Sequence, residues 1–174
     1  MTQPTSALDV IAADPPDFDP AGVAALLVLE YGLHGSLSPL VSERDQNFRL
    51  ETADGDRFVV KIANVAEPFE ITDFQVQALR HLERQGCNVS VPRVVPTNSG
   101  AVITTIGEGA GRHHLRVVSY LPGIPLEGRQ PDAQVAFAVG RSLARIDRAL
   151  QGFTHPGESQ KLLWDMQRAA ELRP

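Results

Sequence analysis

Cysteine occurs once, at Cys87, which excludes an intrachain disulfide framework and a cysteine-based zinc site and makes an intracellular setting the expectation. Positive charge is in short supply as well. The formal net charge is -5 with a pI near 5.5, and no basic cluster with interleaved aromatics occurs, so there is no electrostatic case for nucleic acid or an anionic membrane. Long apolar runs are missing: no segment approaches the roughly 20 apolar residues of a membrane span. The amino terminus also lacks a basic stretch followed by an apolar core. The expectation is a soluble, cytoplasmic protein without nucleic-acid or membrane partners. Lysine is the scarcest charged residue, since Lys61 stands alone until Lys161 and arginine supplies the other positive charges.

What is present suits one domain, or one domain plus part of another: 174 residues, 43% of them hydrophobic, are enough for a sizeable core. Residues 1–18, with Pro4, Pro15 and Pro16 among scattered acids, read as a mobile leader. Asp19 is placed to cap a helix over residues 21–33, where Val23, Leu26, Leu27 and Tyr31 fall near helical spacing. Residues 37–42, 47–52 and 57–63 read as three strands of an antiparallel meander, the last two joined at the hairpin dipeptide Asp54-Gly55. A helix opens at Pro68 and runs to about Gln85, ended by Gly86, with Ile71, Gln75, Ala78, Leu79 and Leu82 on its apolar stripe. Further strand material lies at residues 91–95, 102–106 and 115–121, around a Gly-rich turn at 107–111. Two helices are expected at the end, one capped by Asp132 and reaching Leu150, the other over residues 159–172. The order is that of an α+β lobe leading into a helical region.

Lys61 sits inside the apolar run Phe58-Val59-Val60-Lys61-Ile62-Ala63. A solitary ammonium on a strand suits a phosphate, to which lysine offers a compact point charge; the alternative is a solvent-facing lysine that guards a strand edge. Between the first two strands the turn Ser42-Glu43-Arg44-Asp45-Gln46-Asn47 is not Gly-rich, yet its amides and the Ser42 hydroxyl suit a phosphate; such residues also populate any turn. Gln75 shares the stripe that faces the sheet, and a polar group there requires a partner, with Lys61 as the candidate. Glu67, Glu70 and Asp73 are possible substitutes for that partner, although acids in a first helical turn are stabilised by the dipole in any case.

The stretches at 42–48 (SERDQNF), 58–64 (FVVKIAN), 91–94 (VPRV), 115–126 (LRVVSYLPGIPL) and 143–156 (LARIDRALQGFTHP) occur in an order that resembles the aminoglycoside phosphotransferase family of small-molecule kinases. Its hydroxylysine kinase subgroup is the nearest likeness, sharing the glutamine on the helix after the lysine strand and the Trp164-Asp165 region. The resemblance implies a protein-kinase-like amino-terminal lobe over residues 19–121, then a hinge exit and the beginning of a helical lobe over 122–174. It implies ATP or GTP with Mg2+ as cofactors, and phosphoryl transfer to the hydroxyl of a small amine-bearing metabolite, with 5-hydroxylysine ahead of homoserine, choline or an aminoglycoside. Under that likeness Lys61 binds the α and β phosphates, Ser42 to Asn47 cover them, and Leu40 and Val59 wall the adenine. The Ser119 carbonyl and Leu121 amide take the adenine edge, while Gln75 orients Lys61.

One departure is large. The family's His-x-Asp run followed by Asn, with a metal-binding Asp after it, does not occur, and His34, His81, His113, His114 and His155 do not start one. No catalytic residue and no metal ligand is therefore expected in these 174 residues, which read as a nucleotide-binding part whose substrate contacts lie mainly beyond Pro174. A noncatalytic nucleotide-binding or regulatory module is the other reading.

Overall fold

The computed structural model describes residues 13–126, 128, 130 and 132–159. Helix α1 spans Pro20–Tyr31, and its start and stop are both chemical. The Asp19 carboxylate accepts from the Gly22 amide at 3.2 Å, Pro20 supplies a first position that needs no N–H, and Gly32 closes the helix in the left-handed conformation at φ 65°. Val23, Leu27 and Tyr31, spaced by four, form its buried face.

Among the described residues six antiparallel strands follow: β1 (Ser36–Leu40), β2 (Gln46–Glu51), β3 (Arg57–Ile62), β4 (Val94–Val95), β5 (Thr104–Ile106) and β6 (His113–Ser119). Their order is β1-β2-β3-β6-β4, with β5 also paired to β6. The Asp54-Gly55 turn between β2 and β3 carries Gly55 at φ 86°. The register sorts side chains into two sets because successive residues of a strand point to opposite faces. Phe48, Leu50, Val60, Ile62, Leu115 and Val117 are buried with Val23, Leu27 and Tyr31 of α1, and this cluster is the core. The opposite face carries Asn47, Val59, Lys61, Arg116 and Val118.

Helix α2 spans Phe69–Arg84, with Pro68 just before it and Gly86 at φ 63° beyond its end. Helix α3 spans Ala133–Ala149, its Asp132 cap accepting from the Val135 amide at 2.8 Å. A short 3-10 turn, Pro156–Ser159, then docks on α2. Phe74 lies 5.7 Å from Phe153 and His81 5.2 Å from Phe153 between ring centroids, while His155 Nε2 meets Asp73 Oδ2 at 3.1 Å. Gly157 is buried against α2, where a Cβ would overlap the Glu70 carbonyl oxygen.

Several expected boundaries shift for identifiable reasons. Strand β1 stops at Leu40, leaving Val41 and Ser42 outside it. The strand expected at 91–95 is cut to Val94–Val95, since Pro92 has no N–H to give a ladder. Strand β6 begins two residues early and ends at Ser119, so Tyr120 and Leu121 lie beyond it. On α2 Leu82 is buried as expected, while Thr72 and Val76, one residue on from the half-buried Ile71 and Gln75, are the other buried positions. Thr72 tolerates burial because its hydroxyl donates to Glu67 Oε1 at 2.8 Å. The described part of the expected leader is tied down: Pro16 is buried, the Phe18 amide donates to Gln46 Oε1 at 2.8 Å, and the Asp14 carbonyl accepts from Asn64 Nδ2 at 3.0 Å. The helix expected over 159–172, with Trp164 and Asp165, lies outside the described residues apart from Ser159.

Candidate functional site

The face of the sheet away from α1 borders a cavity of about 460 Å3, within the range of small-molecule sites. Val59 and Lys61 of β3 line it together with Arg116 and Val118 of β6, because Val59↔Val118 and Lys61↔Arg116 are direct partners in the register. Gln75 and Leu79 of α2 form another wall. Ser119, Tyr120 and Leu121, where the chain leaves β6, form the rim beside Pro92. The rim is fixed from behind: the Tyr120 amide donates to the Arg57 carbonyl at 3.0 Å, and the Arg93 amide donates to Ser119 Oγ at 2.9 Å. The Leu121 amide has no hydrogen-bond partner among the described residues.

One row of partners crosses four strands, Leu40↔Asn47, Asn47↔Lys61 and Lys61↔Arg116. Lys61 Nζ donates to Asn47 Oδ1 at 3.3 Å. Burial lowers the Lys61 pKa, the Arg116 charge lowers it further, and Asp45 and Glu67 push the other way. Arg116 is 3% exposed; burial lowers its pKa too, opposed by Glu67 and Asp45. Arg116 Nη2 donates to Gln75 Oε1, and Nη1 has no partner among the described residues. The turn ahead of β2 is organised by its own side chains: Ser42 Oγ accepts from the Asp45 amide at 3.3 Å, and Asp45 Oδ1 accepts from the Asn64 amide at 3.2 Å. Asn64 Nδ2 in turn donates to the Arg44 carbonyl at 3.2 Å.

Of the residues expected at the site, Lys61, Val59, Gln75, Ser119 and Leu121 share the cavity wall. Asn47 joins them through Lys61, whereas Leu40 and Ser42 are outside the wall, Leu40 at the far end of the row and Ser42 in the turn. The expected Gln75–Lys61 contact is replaced by Gln75–Arg116, since Arg116 stands beside Lys61 and takes the carboxamide oxygen. The three acids are engaged elsewhere or form no ion pair with Lys61 among the described residues: Glu67 accepts from Thr72, Asp73 holds His155, and Glu70 lies in the exposed first turn. Arg116 and Asn64 were missed. The signal for Arg116 was the same as for Lys61, a single cation in an apolar run, Leu115-Arg116-Val117-Val118.

Residues 36–174 match the phosphotransferase enzyme family, APH. The chain belongs to this family. Its curated relatives include hydroxylysine kinase of Mus musculus, 30% identical over 177 residues that cover 92% of this chain and 47% of the relative. Hydroxylysine kinase of Danio rerio is 28% identical over 147 residues, covering 78% of this chain and 41% of the relative. This phosphotransferase-family chain thus spans about half the length of the curated relatives it matches. Among solved structures it is similar to amicoumacin kinase in complex with AMP-PNP, Ca2+ and Ami, with a TM-score of 0.71 at 18% identity over 88% of this chain and 47% of that one. A microcompartment-associated aminopropanol kinase gives a TM-score of 0.64 at 18% identity, covering 85% and 46%. The fold is therefore that of kinase-like phosphotransferases, α+β with an antiparallel sheet and flanking helices. Among the described residues no three His, Cys, Asp or Glu side chains cluster as a metal site, and no helix is long and apolar enough to cross a membrane.

Proposed function

We propose that the chain is the nucleotide-binding part of an ATP- or GTP-dependent kinase that phosphorylates a hydroxyl of a small amine-bearing metabolite, 5-hydroxylysine first among the candidates. The observation that carries the reading is the cavity itself, apolar along Val59, Val118 and Leu79, with cationic Lys61 in its wall and an unpartnered Leu121 amide at its rim. A flat heteroaromatic base with an anionic tail matches that distribution of apolar wall, backbone donor and charge. In this reading Val59 and Val118 bound the base, the Leu121 amide and Ser119 carbonyl hydrogen-bond its edge, and Lys61 holds the phosphates, with Asn47 steadying its ammonium. The turn from Ser42 to Asn47 closes over them. Mg2+, when bound with the nucleotide, would neutralise charge on the phosphates; no described residue is assigned to it. The hydroxylysine preference is supported by the likeness to the hydroxylysine kinases of Mus musculus and Danio rerio, not by the cavity.

Calorimetric titration with an ATP analogue and Mg2+ tests the nucleotide reading on wild type and Lys61→Met. Removing a charge-assisted contact of roughly 1.5 to 3 kcal/mol should weaken binding by about tenfold or more with the fold intact. Equal affinities would return Lys61 to the role of an ordinary strand lysine.

A further inference from the structure

Two cations stand side by side on the cavity wall, and neither makes an ion pair with a carboxylate among the described residues. Lys61 has one neutral acceptor, Asn47 Oδ1, and Arg116 has one, Gln75 Oε1. A guanidinium offers five N–H donors in a planar fork, and a buried donor without a partner costs free energy until something accepts from it. Arg116 Nη1 is such a donor, on a side chain that is 3% exposed and lines the cavity. Adjacent like charges repel, and the nearest compensating acids, Asp45 and Glu67, act on them only at a distance. An anion placed between the two side chains would remove both costs together. Few other groups match a fork beside a point charge as well as a phosphate chain, which presents several anionic oxygens in succession.

We infer that Arg116 is a second phosphate-binding residue of the cleft, acting with Lys61 on the phosphate chain of the nucleotide, and that Gln75 is its positioning residue. The inference rests on the nucleotide reading for the identity of the ligand. Arg116 is fixed by the backbone pairing Lys61↔Arg116 on one side and by the α2 side chain on the other, so its fork is held in place before any ligand arrives. The base lies toward Ser119 and Leu121, three and five residues further along the chain, which separates the two halves of the ligand for testing.

The experiment is calorimetric titration of the 174-residue chain with adenosine, ADP, ATP and inorganic tripolyphosphate. Wild type should bind ATP more tightly than adenosine. Arg116→Gln should weaken ATP and ADP by about tenfold or more while leaving adenosine unchanged, and Gln75→Leu should do the same to a smaller extent. Should Arg116→Gln fail to fold, Arg116→Lys keeps one charge but lacks the fork, and should likewise weaken ATP selectively. Equal weakening of adenosine and ATP, or no change in either, would overturn the inference and leave Arg116 a strut for α2. A wild type that binds tripolyphosphate in an Arg116-dependent manner but no adenosine compound would sink the nucleotide reading and keep the anion site. Absence of binding to all four ligands would sink both.

Discussion

Asn64 is the residue whose replacement should disturb the site most for the smallest change in shape. It is 1% exposed two residues beyond β3, and its Nδ2 donates to the carbonyls of Ala13 at 3.3 Å, Asp14 at 3.0 Å and Arg44 at 3.2 Å. Its Oδ1 accepts from the Ala66 amide at 2.9 Å. Two amide hydrogens serve three carbonyls, so the side chain contributes about three hydrogen bonds in all, each worth about 1 kcal/mol net. Asn64→Ala should therefore cost about 3 kcal/mol, a fall of roughly 6–12 °C in Tm for a chain of this size. Asn64→Asp preserves the shape and the Ala66 bond, yet it turns an acceptor oxygen toward three carbonyl oxygens in a buried place. It should be worse than Ala at pH 7, by about 1 kcal/mol or more. The gap should close toward pH 4, where a protonated carboxyl regains one O–H donor. Urea titrations at the two pH values measure the order, and amide exchange over residues 42–47 reports whether the turn that carries Ser42 and Asp45 loosens with it. An Asn64→Asp chain as stable at pH 7 as Asn64→Ala, or more so, would refute the reasoning.

Three further outcomes follow from other contacts. Lys61→Met should raise the Tm of the ligand-free chain by about 2–4 °C, since it removes a half-buried ammonium held beside Arg116, a relief on the order of 1 kcal/mol; a lower Tm would mean that the Asn47 contact outweighs the repulsion. His114 faces Phe69, Glu67, Glu70, His113 and Arg112, and burial holds its pKa below the usual 6.5. The unfolded chain then binds the extra proton first, so stability should fall as pH drops through 6.5 toward the folded value; His114→Gln should flatten that slope, and an unchanged slope would assign the loss to other groups. Gly157→Ala drives a Cβ into the Glu70 carbonyl and to 3.0 Å from Phe74 Cβ, so residues 150–159 should lose protection from amide exchange while the sheet keeps it.

Legibility in the sequence followed chemical isolation. Asp19, Gly55 and Asp132 announce ends and turns because each does something its neighbours cannot, and all three act as expected. Lys61 was conspicuous as a lone ammonium in an apolar strand. Arg116 was hidden because arginine is this chain's ordinary cation, although only the pairing of β3 with β6 makes it Lys61's neighbour. On α2 the stripe through Gln75, Leu79 and Leu82 was legible, but burial of Thr72 was not, because Thr72 counts as polar until Glu67 is seen to satisfy its hydroxyl. Asn64 depends on carbonyls some 20 to 51 positions away, and no local pattern encodes such a set.

The docking of residues 150–159 on α2 bears on how the molecule can bend. The chain leaves the sheet after Ser119, runs through α3, and returns to grip Asp73, Phe74 and His81. Helix α3 is also held along its own length, the Ala149 carbonyl meeting His81 Nε2 at 3.0 Å and Arg145 Nη1 donating to the Asn88 carbonyl at 3.5 Å. A helix tied to its neighbour at several points moves with that neighbour. A displacement of α3 would therefore be passed to α2, the helix that carries Gln75 to the cavity wall.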